Sequence, residues 1–398
     1  MRYNFDEIVP RENTDCLKFD IRKETFGRED VIPMWIADMD FKTPPFIINA
    51  LRERLEHEVL GYTRNSGKWI PSIEFWAKRR YGWELAPEWI EHVSGIVPAI
   101  SFAIQALTEI GDNILIHTPV YHPYYHIPRT NGRNVITNTL RLVDGQYEID
   151  FEDFEQKVKE CKLFLLCHPH NPSGRVWRRE ELERIAQICY DNNVIVISDE
   201  IHADMTFKGF EHIPFATVSE QARMNSITMM AASKSFNIAG LISSFTIIPN
   251  EQLRKRYNGF LLKSELNHPH IFATIATAAA FTPEGEEWLG QLVDYITANV
   301  DYLQNFIAEK MPLLGIIRPQ ASYLVFLDCR KLNMTPEELS EFFVRKAGLG
   351  LIEGSTFGPE GKGFARMNIG CPRAVLQQAL EQLLGAYLEE VGKVITLK

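Results

Sequence analysis

The chain has 398 residues, with 42 lysines and arginines against 52 aspartates and glutamates, for a formal net charge of −10. A composition of 45% hydrophobic and 24% charged residues excludes a disordered chain, and this length buries a core without disulfide or metal staples. The acidic balance, with no clustered basic field, argues against a nucleic-acid binder or a binder of anionic membranes.

Residues 1–46 read as an irregular arm. It begins MRYNFDEIVP, which has neither the basic start nor the apolar run of a leader. The apolar stretch IPMWIADMDF from Ile32 to Phe41 has Trp35 at its centre, and Pro44 and Pro45 then break the chain. From Phe46 to Val59 the spacing of Ile47, Ile48, Leu51 and Leu55 predicts a helix, followed by a GYTRNSG loop from Gly61 to Gly67. Ser94 to Asp112 carries a strong helix signature: Pro98 suits the first turn, Ile100, Ile104, Leu107 and Ile110 repeat at three and four, and Gly111 ends it. A strand, NILIHTP, comes next. Helix then strand recurs, with Phe154 to Cys161 leading into KLFLLCHP and Glu180 to Asp191 into VIVISDE, before SITMMAAS and SSFTIIP. Short apolar strands alternating with amphipathic helices indicate an α/β fold, a mostly parallel sheet covered on both faces.

After Gly285 the pattern changes. A helical tract from Glu286 to Met311, strands near Tyr323 to Leu327 and Phe364 to Ile369, and helices at Pro336 to Lys346 and Pro372 to Val391 predict a smaller α+β unit. The expected division is an arm, 1–46, joining the small domain; a large domain, 47–285; and a small carboxyl-terminal domain, 286–398. No stretch approaches about 18 uninterrupted apolar residues, so no membrane span is expected. The six cysteines form no C-x-x-C pair and several sit in apolar runs, which fits a reducing, cytoplasmic setting.

The common nucleotide signatures fail on spacing. GLGLIEG at Gly348 to Gly354 is one residue too long for G-x-G-x-x-G, and Gly67-Lys68 lacks the Walker spacing. His168 and His170, like His268 and His270, flank a proline with no further ligand at metal spacing, so no metal is expected. Three strand ends do carry polar residues. HPHNPSG places Asn171, SDEIH places Asp199 and His202, and AASKSFNIAG places Lys234 directly after an apolar strand. In an open parallel sheet, ligands sit beyond the carboxyl ends of the strands, so these residues are expected to face one crevice.

The ordered set HNPSG, SDE, SKSFNIAG and ARMNIGCPR resembles the fold-type-I pyridoxal phosphate enzymes of the class I/II aminotransferase family, over roughly Ile32 to Leu384. The resemblance implies a seven-stranded, mostly parallel sheet and pyridoxal 5'-phosphate as cofactor. It implies that Lys234 holds the cofactor aldehyde, that Asp199 keeps the ring nitrogen protonated, and that Asn171 meets the ring hydroxyl oxygen. Tyr121 would stack on the ring, Ile96 and Val97 would offer backbone N–H groups to the phosphate, and Ser233 would add a contact. His202 stands where aminotransferases of the aspartate type carry a tyrosine, and Ile242 where they carry an arginine, which leaves the phosphate site less basic. Tyr62 matches a tyrosine reaching the phosphate of a neighbouring subunit, implying a homodimer with shared sites. Arg366 would grip the carboxylate of a small amino-acid substrate.

PMWIADMDF and SDEIHADM resemble in particular the cystathionine β-lyase branch of MalY/PatB type. That implies α,β-elimination from S-substituted cysteines, with Lys234 as the base and Trp35 lining the substrate entrance. The competing expectation for Trp35 is a buried anchor of the arm. An aminotransferase using the same residues, and a cofactor-holding regulatory protein without turnover, stand as alternatives.

Overall fold

The structure is a computed structural model that describes residues 2–64, 67–266 and 268–396. Its centre is a seven-stranded sheet built from β1 (Ile90–Val93), β2 (Asn113–Thr118), β3 (Asn134–Thr139), β4 (Leu163–Cys167), β5 (Ile195–Asp199), β6 (Ser226–Met230) and β7 (Ser244–Ile247). The spatial order is β1-β7-β6-β5-β4-β2-β3. Neighbours from β6 through β3 are parallel, and β7 runs antiparallel to both β6 and β1. The reversal follows from the connection. Between Met230 and Ser244 the only regular element is the short 3-10 turn Ala239–Leu241, which cannot cross the sheet as a parallel return requires. Strands β4, β5 and β6 are buried along nearly their whole length, as a sheet covered on both faces demands.

Register decides what meets at the carboxyl edge. Cys167 pairs with Asp199, and Asp199 with Met229, so β4, β5 and β6 end side by side. The Ile96–Leu107 helix packs on this sheet through Ile96, Ala99, Ile100, Ala103, Ile104 and Leu107. It is shorter at both ends than the stretch from Ser94 to Asp112. Thr108 is extended and its hydroxyl donates to the Ile104 carbonyl at 2.6 Å, ending the helix, while Ile110 is exposed and Gly111 turns at φ 91°.

The arm is more ordered than an irregular segment. It contains short helices at Leu17–Asp20 and Arg22–Phe26, and Ile32–Pro33 pairs in parallel with Leu349–Gly350. These are held by local caps that leave no periodicity: the Asp20 carboxylate accepts from the backbone N–H groups of Asn13, Thr14 and Cys16. Pro45 starts the next helix instead of breaking the chain, because its missing N–H is spared in a first turn; that helix spans Pro45–Leu55 and stops before Val59. The Phe151–Lys157 helix begins earlier than Phe154, because Asp150 caps it by accepting from the Asp153 N–H. A further helix, Trp69–Tyr81, buries Trp69, Ile73, Trp76 and Ala77 and ends at the left-handed Gly82.

The second sheet is antiparallel, from β8 (Gly315–Ile317), β9 (Leu324–Asp328), β10 (Ile352–Glu353) and β11 (Phe364–Asn368), in the order β8-β9-β11-β10. The helices Pro283–Lys310 and Arg373–Thr396 accompany it, the first capped by Thr282. Pro336–Glu341 is α-helical and continues as one π turn, Phe342–Lys346. Among the described residues no helix is long and apolar enough to cross a membrane.

Candidate active site

A cavity of about 380 Å³ lies at the carboxyl edge of the large sheet. It is lined by Cys167 at the end of β4 and Asn171 beyond it, by Asp199 at the end of β5 and His202 beyond it, and by Ser233 and Lys234 from the segment after β6. Ser94 to Pro98 and Tyr121 close other sides. The strand-end residues expected to share one crevice do share it.

Lys234 leaves β6 in a tight loop, with Phe236 N–H donating to Ala232 O at 3.0 Å and Ile238 N–H to Ser233 O at 3.1 Å. Its ammonium donates to the carbonyl of Ala37, in the arm. Burial pulls the amine down to about 8 and Arg366 adds to this, while Asp38 and Asp199 work against it. A neutral amine is thereby accessible near physiological pH.

Asp199 is buried. Its Oδ1 accepts from the Ile201 N–H and its Oδ2 from the Tyr124 hydroxyl, each at 3.1 Å. Burial raises its carboxyl to about 6, and those two hydrogen bonds oppose the rise. It has no salt-bridge partner among the described residues. A buried carboxylate in that condition suits a cation entering the cavity, such as a protonated ring nitrogen.

Asn171 Oδ1 accepts from Arg366 Nη1 at 3.1 Å, which leaves its amide NH₂ as the group free to donate. The Tyr121 N–H donates to Asn171 O at 3.0 Å, tying the aromatic wall to the same loop. Ile96 and Val97 open their helix after Gly95, at φ 106°, and first-turn N–H groups have no intrahelical acceptor. With the helix dipole behind them, they form an anion seat. Ser233, Ser243 and Ser244 add hydroxyls, and Ile242 stands at the rim. His202 is buried with Nδ1 unpartnered, and burial holds its ring neutral, down to about 3.

Arg366 lies on β11, buried, beside Asn171 and outside the cavity's immediate lining. Its Nη2 donates to Trp35 O at 2.9 Å and its Nε has no partner. Burial lowers it to about 10, and among the described residues no carboxylate forms a salt bridge with it. A buried guanidinium in that condition suits an incoming carboxylate.

Trp35 is placed as an anchor: its indole donates to Lys18 O at 3.0 Å and stacks edge-on against Phe26 at 5.5 Å. The indole does not line the cavity; its carbonyl, not its ring, meets Arg366. Tyr62 is fully exposed, outside the cavity of its own chain.

Several participants carry no sequence signal. Ala37 accepts from both Lys234 and the Tyr323 hydroxyl, the latter at 3.0 Å. Asn368 donates to Ile36 O at 2.5 Å and Asp38 O at 2.6 Å, and Asn237 bonds Met39 and Phe41. Both asparagines sit inside motifs noted for their neighbours, ARMNIG and SKSFNIAG. The arm is thus strapped across the site, and Lys18, which is 1% exposed, fixes its far end by binding Asp40 at 2.9 Å.

A buried amine, a carboxylate without a salt-bridge partner and an anion seat around one cavity at the carboxyl edge of a mostly parallel sheet fit fold type I of the pyridoxal phosphate enzymes. The model of the family "Aminotransferase class I and II" matches residues 29–383, and the chain belongs to that family. It is 41% identical over 385 residues to cystathionine β-lyase PatB of Bacillus subtilis, covering 96% of this chain and 99% of that protein. Among solved structures it resembles cystalysin of Treponema denticola, crystallised with pyridoxal 5'-phosphate, with a TM-score of 0.94 and 34% identity, covering 98% of this chain and all 100% of that one. It also resembles the C-S lyase of Staphylococcus hominis, with a TM-score of 0.90 and 35% identity, covering 98% and 99% of the two chains.

Proposed function

We propose that this protein is a pyridoxal 5'-phosphate-dependent carbon–sulfur lyase that eliminates a thiol from S-substituted cysteines such as cystathionine. The observation carrying the reading is the joint burial of Lys234, Asp199 and Arg366, each missing the partner that cofactor or substrate brings. Likeness over nearly the full length to a cystathionine β-lyase and a C-S lyase supports the choice of reaction.

The residues fit the cofactor. Lys234 would hold its aldehyde carbon, Asp199 its ring nitrogen, the Asn171 amide its ring oxygen, and the N–H groups of Ile96 and Val97 with Ser233 its phosphate; Tyr121 and His202 would flank the ring. Bound there, pyridoxal phosphate supplies a sink for the electron pair left at the substrate Cα. Arg366 grips the substrate carboxylate and so orients the Cα–H bond. The Lys234 amine, free once the substrate's own amine has taken its place, would remove the α-proton. As the pair moves to form the Cα–Cβ double bond, the Cβ–S bond breaks and the thiolate leaves, and the released aminoacrylate hydrolyses to pyruvate and ammonia.

Cystathionine supplied without any 2-oxo acid is the test: the lyase releases pyruvate and a thiol over many turnovers. A requirement for a 2-oxo acid, with an aminated product, would instead establish an aminotransferase. The full exposure of Tyr62 supports a homodimer in which it reaches the partner's phosphate site. We also read 1–46, 47–285 and 286–398 as arm, large domain and small domain. The pairing of Ile32–Pro33 with Leu349–Gly350 supports the joining of the arm to the small domain.

A further inference from the structure

Tyr124 is fully buried in the Pro123–Thr130 helix, one turn past Tyr121, and does not line the cavity. Its hydroxyl donates to Asp199 Oδ2 at 3.1 Å; the Leu166 carbonyl, at 3.5 Å, and the Cys167 thiol also lie within its reach. The Ile201 N–H occupies Oδ1, so each oxygen of the carboxylate holds one protein donor. That pair of bonds fixes the plane of the carboxylate and leaves the remaining lone pairs for the cavity. The other polar neighbours do not share the task. The thiol of Cys167 is held neutral by burial, and its Sγ accepts from the Asn171 N–H. Glu200 turns away to Ser198, His212 and the Phe215 N–H. Among the described residues, Tyr124 is the one side chain hydrogen-bonded to Asp199.

We propose that Tyr124 is a positioning residue, which sets the orientation in which Asp199 receives the cofactor's ring nitrogen and touches neither cofactor nor substrate itself. The proposal rests on the cofactor reading above. Tyr124→Phe removes one oxygen and keeps the ring, so the packing of the helix is retained while one of two donors to a buried carboxylate is lost.

The test uses cofactor-free protein titrated by fluorescence with pyridoxal phosphate and with its carbocyclic analogue, in which CH replaces the ring nitrogen. Tyr124→Phe is expected to weaken pyridoxal phosphate about tenfold and to leave the analogue within twofold, because only the nitrogen reads Asp199. In an Asp199→Asn background the same change is expected to have no further effect on either ligand. In the holoenzyme kcat falls while the substrate KM stays. An equal loss for both ligands, or a full additive loss in the Asp199→Asn background, would show a merely structural tyrosine and overturn the proposal, as would no loss at all. Failure of the unaltered protein to bind pyridoxal phosphate would instead sink the cofactor reading.

Discussion

Burial around Lys234 favours its neutral amine, the form a base needs. Replacing it with alanine is expected to lower pyruvate release by about 10²–10⁴-fold, the usual worth of a positioned base, and borohydride treatment of the native holoenzyme should label Lys234 and no other lysine by peptide mass. Only the neutral amine attacks an aldehyde, so the rate at which cofactor-free protein captures pyridoxal phosphate should rise with pH and be half-maximal near pH 8, where burial places the group. Arg366→Lys keeps the charge but loses the planar fork, and kcat/KM should fall about 10–100-fold while the cofactor stays bound. Lys234, Asp199 and Asn171 were legible because each follows an apolar strand, and parallel strands deliver their ends to one edge. Ala37 was not legible, because a backbone carbonyl has no letter.

At the scale of elements, the sequence shows strands β2, β4, β5, β6 and β7 as apolar runs, whereas the Trp69–Tyr81 helix escapes notice. Its apolar face, Trp69, Ile73, Trp76 and Ala77, has the right spacing, yet Pro71 and the basic run Lys78 to Arg80 obscure it. The arm escapes for another reason: its order comes from long-range bonds to Asn237 and Asn368. Asn237→Ala removes the bonds to Met39 and Phe41. About 1–3 kcal/mol of stability should go with them, measured as a lower denaturation midpoint together with faster protease cleavage within the first 44 residues.

For the molecule as a whole, acid is the expected weakness. His168, His170, His202 and His212 are held neutral down to about 3, and His92 and His117 down to about 4, with burial the leading cause for each. In the unfolded chain they take up protons near 6.5, so the unfolded state binds more protons and stability falls as pH drops below that value, by roughly 2 kcal/mol per histidine at pH 5. Asp199 and Glu200, raised to about 6 and about 7, offset part of this, since folding hinders their ionisation. Thermal melts of the cofactor-free protein at pH 7.5 and 5.5 should show the midpoint falling at the lower value. If Tyr62 serves the partner's site, mixing inactive Lys234→Ala chains with impaired Tyr62→Phe chains should regain activity through hybrid dimers carrying one native site. The strap across the cavity carries a different kind of consequence, one for how such a gene can drift. Trp35 to Asp38 serve Arg366, Lys234 and Asn368 through main-chain oxygens, while Met34 and Asp40 are pinned on either side by backbone bonds to Gly350 and Gly370. Point changes at Ile36 should therefore pass almost silently, whereas inserting or deleting one codon between Met34 and Asp40 would shift every oxygen out of step and silence the site.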